Sequence, residues 1–291
     1  MDDLRLHENI YLDFGLSYLL VLVIVWLRYG VFSGAAHALV WGLRGDRGDG
    51  VAIGGERTGW LTAVRLAAVD PARQTMWREA RSSLVATCIY ALPGTIMAIS
   101  YREGGTAMYR GWPDTAAGWL WLPASAFVLL ALQDAYFYWS HRAMHHPRLY
   151  QRVHHTHHRA RQPTAFASFS FSPWESAIIA WFLPALCFVL PVHVGVFAFV
   201  LTLSTLLAAT NHSGWEILPL RWLERGVGAQ LITARHHNLH HTRFKRNYGL
   251  YFRWWDRWFG TDSMEGDPAE RSVPASGGAV LPERAVAKAE A

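Results

Sequence analysis

Long stretches without a charged residue alternate with polar connections along this chain. Asp, Glu, Lys and Arg are absent from 82–101, 115–133 and 176–215. A further apolar stretch runs from Phe14 to Leu27 and resumes after Arg28, which leaves the end of this first span open. A helix needs about 20 apolar residues to cross a hydrocarbon core, so each stretch predicts at least one membrane-spanning helix.

The stretch 176–215 is long enough for two helices. Pro184, Pro191, His193 and Gly195 lie in its interior, where they are typical of a turn. We therefore expect a helical hairpin with helices over about 176–190 and 194–210. Together with the other stretches, it predicts an all-α integral membrane bundle of four to five spans.

Lys and Arg are distributed unevenly among the connections. They number 8, 5 and 11 in segments 28–83, 139–175 and 211–291, against 1, 2 and none in segments 1–13, 101–117 and the hairpin tip. Cytoplasmic loops are enriched in basic residues, so the first three segments are predicted to be cytoplasmic. The net charge of +5 describes this basic face, which suits anionic headgroups or an acidic protein partner rather than nucleic acid. The preponderance of Arg over Lys favours a bacterial inner membrane over an endoplasmic reticulum.

Histidine is concentrated in the second half of the chain. Three clusters occupy 141–145, 154–158 and 237–241, and His212 lies alone before the last of them. Positions three and four apart are neighbours on a helix, so each cluster directs its imidazole rings one way. The predicted metal ligands are His141, His145, His154, His157, His158, His212, His237, His240 and His241.

This number of imidazoles exceeds what one metal ion needs. Structural zinc takes four ligands and catalytic zinc three, so the set predicts two ions. Imidazole binds iron, zinc, copper and nickel alike, and the ligand type leaves the metal open. His146, His155 and His236 each adjoin a better-spaced histidine, so we expect them to face solvent or to lie behind the ligands.

Asp134 is an acidic residue in register with the first of these clusters. Asp134, Tyr138, His141 and His145 follow one another at intervals of four, three and four, which places them on one helix face. A charge at the end of a membrane span is costly without a task. Ligating imidazoles usually donate their second N–H to a carboxylate or carbonyl, so Asp134 is predicted to orient a ligand.

At these residues the chain resembles the fatty acid hydroxylase and sterol desaturase superfamily of membrane di-iron enzymes. The segment from Asp134 to Pro147 resembles the first histidine box, His154 to His158 the second and His237 to His241 the third. Segments 163–168 and 247–260 are similar to the sterol C5-desaturase branch. The resemblance covers about residues 119–262.

The resemblance implies a membrane bundle capped on its cytoplasmic side by a histidine-rich helical region that holds two iron ions. It divides the chain into N-terminal spans with a cytoplasmic loop (1–113), a catalytic region (114–262) and a disordered tail (263–291). It also implies that O2 is the co-substrate in hydroxylation or desaturation of a C–H bond in a sterol or fatty acyl lipid. Zinc would enter only by substitution, since it has no redox chemistry.

The electrons for such a reaction must come from outside the chain. The sequence contains no dinucleotide fingerprint, flavin motif, haem CxxCH or cysteine cluster, which predicts an external donor of the cytochrome b5 or ferredoxin type. A metal-dependent membrane lipid hydrolase and a metal transporter are the alternatives. Transport places ligands at the bilayer midplane, whereas these clusters follow the spans. Oxygen consumption coupled to an added reductant separates the oxidase from both.

Overall fold

The computed structural model describes residues 2–42, 64–67, 70–223 and 225–264, and four long helices dominate this part of the chain. They are α1 (Asp2–His37), α2 (Arg73–Arg102), α3 (Ala116–Met144) and α8 (Val194–Asn211). Each is long and apolar enough to cross a membrane, α1 together with the π-helical turn that follows it to Gly42. The predicted all-α bundle is therefore confirmed, with four such helices in the described residues.

Short elements connect the long helices. The helical ones are α4 (Pro147–Val153), α5 (His155–His158), α6 (Pro173–Ala180), α7 (Phe182–Leu186), α9 (Leu220–Leu223), α10 (Ala234–Arg243), α11 (Trp254–Trp258) and 3-10 turns at Ala165–Phe169 and Gly228–Gln230. Strands β1 (Val64–Arg65) and β2 (Trp215–Glu216) pair antiparallel, with Val64 opposite Glu216. Most of the short helices lie on the chain between α3 and α8 or after α8, next to the histidine clusters.

The prediction of one continuous helix over 176–190 is wrong. Two short helices, α6 and α7, replace it, and the chain is interrupted at Trp181. Pro184 has no N–H, and its ring would clash with the carbonyl of the residue four positions earlier, Ala180. The second helix of the hairpin forms as α8, where the His193 ring caps the first turn by accepting from the Gly195 N–H.

All four long helices have one end at the histidine clusters. The chain reaches the clusters at the C-terminal ends of α1, α3 and α8 and leaves them again at the start of α2. At the opposite end, Tyr109 pairs with His193 ahead of α8. His193, in the predicted turn before α8, therefore lies at the end of the bundle opposite the clusters.

Large apolar side chains cover the outer faces of the long helices. On α1, Leu16, Leu20, Val23 and Leu27 are each exposed by about half or more. A soluble protein rarely exposes so continuous an apolar surface, whereas hydrocarbon chains would cover it. Between the helices lies an apolar core formed by Leu129, Leu183, Cys187, Val192, Phe197 and Val200.

Two predicted segments fall largely outside the described residues. The glycine-rich part of the cytoplasmic loop, 44–59, lies within the undescribed stretch 43–63. Of the predicted tail 263–291, only residues 263 and 264 are described.

Candidate metal centre

The fold brings the nine predicted ligands together in two clusters. The first, here called the five-histidine cluster, contains His141, His145, His154, His158 and His240. The second, the four-histidine cluster, contains His157, His212, His237 and His241. Within each cluster one ring nitrogen of every residue lies within 4.8 Å of those of the others, and all but His145 are buried.

Each of the two later histidine boxes is divided between the clusters. The pairs four residues apart remain together, His154 with His158 and His237 with His241. The remaining predicted ligand of each box belongs to the opposite cluster. His157 is part of the four-histidine cluster, and His240 is part of the five-histidine cluster. This exchange places the two clusters side by side, since α5 and α10 each contribute to both.

Backbone carbonyls fix the ring orientation of several cluster histidines. A carbonyl oxygen only accepts, so the ring nitrogen facing it must carry the proton. His141 donates from Nδ1 to the Tyr248 carbonyl at 2.9 Å, and His212 to the Ala208 carbonyl at 2.7 Å. His240 and His241 donate in the same way to Arg246 and Ala160. Because the proton of each neutral ring is on Nδ1, Nε2 is unprotonated and its lone pair is free to bind a metal.

These acceptor nitrogens face one another across short gaps. The Nε2–Nε2 distances are 3.0 Å for His141–His154, His154–His158 and His158–His240, 3.1 Å for His145–His240 and His237–His241, 2.8 Å for His212–His237 and 3.4 Å for His157–His212. Lone pairs so arranged repel unless a cation lies among them. Two nitrogens that each bind one ion at about 2.1 Å and at a right angle are about 3 Å apart. The donor set therefore fits one transition-metal ion in each cluster.

Burial keeps the cluster imidazoles neutral, which is the form that binds a metal. Desolvation lowers the pKa of His212 to about 4 and that of His145 to about 2, the latter also through repulsion from His141. The pKa values of His237 and His240 fall well below the usual range for the same two reasons. Protons therefore compete weakly with a metal at these nitrogens near neutral pH.

Glu175 is a carboxylate at the site that the sequence pattern did not identify. Its Oε1 accepts from His154 Nδ1 at 2.8 Å, and both side chains are only 1% exposed. Burial raises the pKa of this carboxyl well above its usual range. The sequence signal was present as Ser172-x-x-Glu175, a helix-start pattern, in which the Ser172 hydroxyl accepts from the Glu175 N–H. The Glu175 side chain turns instead toward the histidine.

Asp134 does not contact an imidazole, contrary to the predicted orienting role. Its Oδ1 accepts from the backbone N–H groups of Leu250, Tyr251 and Phe252 at 3.1, 2.7 and 3.2 Å. The helix-face argument placed the residue on the correct face of α3, but a loop distant in sequence lies between the carboxylate and the rings. Asp134 thus holds the loop that carries the Tyr248 carbonyl.

A second carboxylate fixes the same loop from its other side. Asp256 accepts from the Tyr248 and Gly249 N–H groups, each at 2.8 Å. Asn247, in the left-handed region with φ 56°, donates to the carbonyls of His236 and Ser263. The segment 247–260 therefore supplies the Tyr248 carbonyl behind His141 and directly follows Arg246, whose carbonyl lies behind His240.

The three histidines of uncertain role lie outside both clusters. His146 and His155 are exposed, and the His146 ring accepts from the Arg148 N–H at the start of α4. His236 is buried, but its Nδ1 bonds to Thr233 at the start of α10. This agrees with the expectation that they face solvent or lie behind the ligands.

An apolar cavity leads to the clusters from among the long helices. It measures about 280 Å³ and is enclosed by α1, α2, α3, α7 and α8. A smaller cavity of about 50 Å³ adjoins His141, His154, His157, His212 and His237. Phe137, Ser168, Phe171, Ala208 and Leu250 line both. The larger cavity is therefore separated from the one beside the histidines only by side chains that line both.

Comparison with known proteins agrees with this site. Residues 126–261 match the family model described as fatty acid hydroxylase. The match contains all nine cluster histidines together with Asp134, Glu175 and Asp256. Residues 126–261 are therefore similar to a fatty acid hydroxylase domain. The resemblance predicted from the histidine boxes is thereby confirmed.

Several curated relatives of the fatty acid hydroxylase domain are sterol enzymes by name. The Delta(7)-sterol 5(6)-desaturase ERG3B of Gibberella zeae is 31% identical over 159 residues, which is 54% of this chain and 48% of that protein. The lathosterol oxidase of Mus musculus is 31% identical over 169 residues, covering 57% and 54%. Methylsterol monooxygenase 1 of Danio rerio is 34% identical over 155 residues, covering 52% and 51%.

The alignments with these three relatives cover about half of each relative's length. No solved structure matches the chain. The helices α1 and α2 both precede the residues matched by the fatty acid hydroxylase model, although both contribute to the wall of the apolar cavity.

Proposed function

We propose that this chain is a membrane oxidoreductase that hydroxylates or desaturates a C–H bond of a sterol or fatty acyl lipid, using O2 and two iron ions. The observation that carries the proposal is the arrangement of the nine imidazoles, whose acceptor nitrogens converge in two adjacent clusters at the end of an apolar cavity. The names of the curated relatives support a lipid substrate.

We propose that each cluster binds one of the two iron ions. His141, His145, His154, His158 and His240 would hold one ion, and His157, His212, His237 and His241 the other. A reduced iron pair supplies the activation of O2 toward unactivated C–H bonds, which redox-inert zinc does not. Zinc bound to a purified sample would reflect substitution.

Buried partners behind the rings would hold the ligand set in place. Glu175 holds the Nδ1–H of His154, while the carbonyls of Tyr248 and Ala208 hold those of His141 and His212. Asp134 acts one step further away, as a positioning residue for the loop that carries Tyr248. Such partners typically change metal affinity or activity by about 10–100-fold when they are removed.

The cavity would bind the lipid and keep water from the reacting carbon. Its wall is predominantly apolar, and it joins the small cavity beside His141 and His212. A chain or ring held there has its position fixed relative to the clusters, which is the main contribution of binding to selectivity among C–H bonds.

Electrons would arrive from an external donor of the cytochrome b5 or ferredoxin type. Hydroxylation adds one oxygen atom to the lipid and releases one water, and desaturation removes two hydrogens and releases two waters. Either reaction takes two electrons and two protons per O2. We place the donor at the histidine end of the bundle, where Arg148, Arg152, Arg159 and Lys245 are exposed. The same basic residues support a cytoplasmic location of this end, in a bacterial inner membrane.

The division of the chain follows the same proposal. Residues 1–113 would supply spans that wall the cavity, and residues 114–262 the catalytic region.

The test is oxygen consumption by the purified, iron-loaded chain in lipid nanodiscs with a ferredoxin and its reductase. We expect O2 uptake that depends on both reductant and lipid, with a product 16 mass units heavier or 2 lighter than its substrate by mass spectrometry. Release of a hydrolysed lipid without O2 uptake would favour the hydrolase alternative. Movement of metal across sealed vesicles without either product would favour transport.

A further inference from the structure

The apolar cavity contains one charged residue. Its polar wall groups include Arg28 of α1, Gln133 of α3, Ser204 of α8 and Tyr251, whereas no Asp or Glu belongs to its lining. Arg28 lies 18 residues after Ile10 and 13 before Trp41, the two ends of the first span, and therefore near the middle of the hydrocarbon region.

The neutral side chains of Gln133, Ser204, Tyr251 and Ser168 already have hydrogen-bond partners in the protein. The Tyr251 hydroxyl donates to Gln133 Oε1 at 2.8 Å and bonds to the Ser204 hydroxyl. Ser168, which lines both cavities, bonds to Ser33 at 3.2 Å. These side chains have no unmet need for a ligand.

Arg28 differs from them in this respect. Its Nε is buried and has no hydrogen-bond partner. Among the residues that the structure describes, no carboxylate forms an ion pair with it. By contrast, Arg102, at the far end of α2, is exposed and pairs with both Asp13 and Glu103.

An unpaired guanidinium in this position is costly. Arginine keeps its proton in proteins, so the charge cannot be removed by titration. Charged side chains within a membrane span are rare, and those present usually serve a ligand or a partner. The planar guanidinium fits a carboxylate through two parallel N–H···O bonds, and such an anion would neutralise the only charge in the cavity wall.

We infer that Arg28 binds the carboxylate of an acidic lipid whose hydrocarbon portion lies in the cavity. The lipid class is a long-chain carboxylic acid, and a neutral sterol alcohol would leave the guanidinium charge uncompensated. The identification of this lipid as the substrate rests on the proposed function, but its binding does not.

The test is equilibrium binding to the metal-free full chain in detergent. The probes share one chain length: hexadecanoic acid, hexadecanol and methyl hexadecanoate, each displacing radiolabelled hexadecanoic acid. We expect the wild-type chain to bind the acid at least tenfold more tightly than the alcohol or the ester.

The variants assign this preference to one side chain. Arg28→Met should lose at least tenfold in affinity for the acid while binding the alcohol as the wild type does, which also shows that the cavity is intact. Arg28→Lys, which keeps the charge, should retain most of the preference. The control Arg102→Gln removes an arginine outside the cavity and should bind all three probes like the wild type.

Two results would overturn the inference: equal affinity of the wild type for acid and alcohol, or a preference for the acid that survives in Arg28→Met. Cholesterol that displaces the labelled acid equally well from wild type and Arg28→Met would also count against it. An iron-loaded chain that binds the acid through Arg28 but oxidises no lipid would contradict the proposed function and leave this inference standing.

Discussion

At the scale of single residues, the site is defined by which ring nitrogen carries the proton. Carbonyls behind His141, His212, His240 and His241 hold Nδ1–H, so that the Nε2 atoms converge. The sequence spacing predicted which histidines share a helix face. It could not predict these carbonyls, because Tyr248 and Ala160 are far from their partners along the chain. Glu175 escaped prediction for the same reason.

The role of Glu175 leads to a prediction for Glu175→Gln. The amide keeps the shape of the side chain but loses the charge that strengthens its bond to His154, so affinity for the first ion should fall by about 10–100-fold. Metal titration followed by elemental analysis measures the loss. Glu216→Gln is the matched control, since Glu216 is equally buried but bonds to backbone N–H groups of Leu218 and Arg235. Equal losses in both variants would argue against a specific role for Glu175.

The lowered histidine pKa values predict how stability depends on pH. The unfolded chain binds protons with a histidine pKa of about 6.5, whereas the folded value for His212 is about 4. The contribution of these neutral histidines to the free energy of unfolding is therefore complete above about pH 6.5. It is lost as the pH falls toward their pKa values in the folded chain. The melting temperature of the metal-free chain should drop between pH 7.5 and 5.5. His146→Ala and His155→Ala, at exposed positions, should leave this profile unchanged; a flat wild-type profile would contradict the account.

At the scale of secondary-structure elements, the apolar stretches predicted the long helices well. The spans over 82–101 and 115–133 lie within α2 and α3, and 194–210 lies within α8. The prediction of a continuous helix over 176–190 was wrong because Pro184 ends the preceding helix at Ala180. The loop between α10 and α11 could not be predicted either, since its conformation depends on Asp134 and Asp256 from elsewhere in the fold.

This loop tolerates no side chain at Gly249. A Cβ there would lie 2.7 Å from the Phe252 carbonyl oxygen and 2.9 Å from Asp256 Oδ2, so Gly249→Ala must displace the loop. The displacement withdraws the neighbouring Tyr248 carbonyl from His141, and metal affinity should fall about tenfold or more. Gly111→Ala, where a Cβ meets no atom within 4 Å, is the control. Metal affinity unchanged in Gly249→Ala would show that the loop does not position His141.

At the scale of the whole molecule, four long helices place both clusters at one end of the bundle and the cavity above them. The proposed side of the membrane and the proposed docking site of the donor rest on the distribution of charge. Arg148, Arg152 and Arg159 are exposed near the clusters, whereas Arg110 is exposed near the opposite end. Electrostatic steering of an acidic donor depends on such surface charge and is screened by salt.

Donor-dependent turnover should therefore fall as ionic strength rises from 20 to 300 mM. Arg152→Glu should slow it several-fold at low salt through a slower association rate, whereas Arg110→Glu should not. Turnover driven by peroxide, where it occurs, needs no donor and should be insensitive to salt. Equal salt sensitivity with donor and with peroxide would exclude docking on this face.

The central claim is that two ions are held by two separate sets of imidazoles. The most direct measurement is the iron content of catalytically active enzyme, by elemental analysis with Mössbauer spectroscopy, in the wild type, His157→Ala and His240→Ala. The account predicts about two iron ions per wild-type chain. His157→Ala should selectively weaken the ion of the four-histidine cluster, and His240→Ala that of the five-histidine cluster. Fully active enzyme with one ion or none would contradict it.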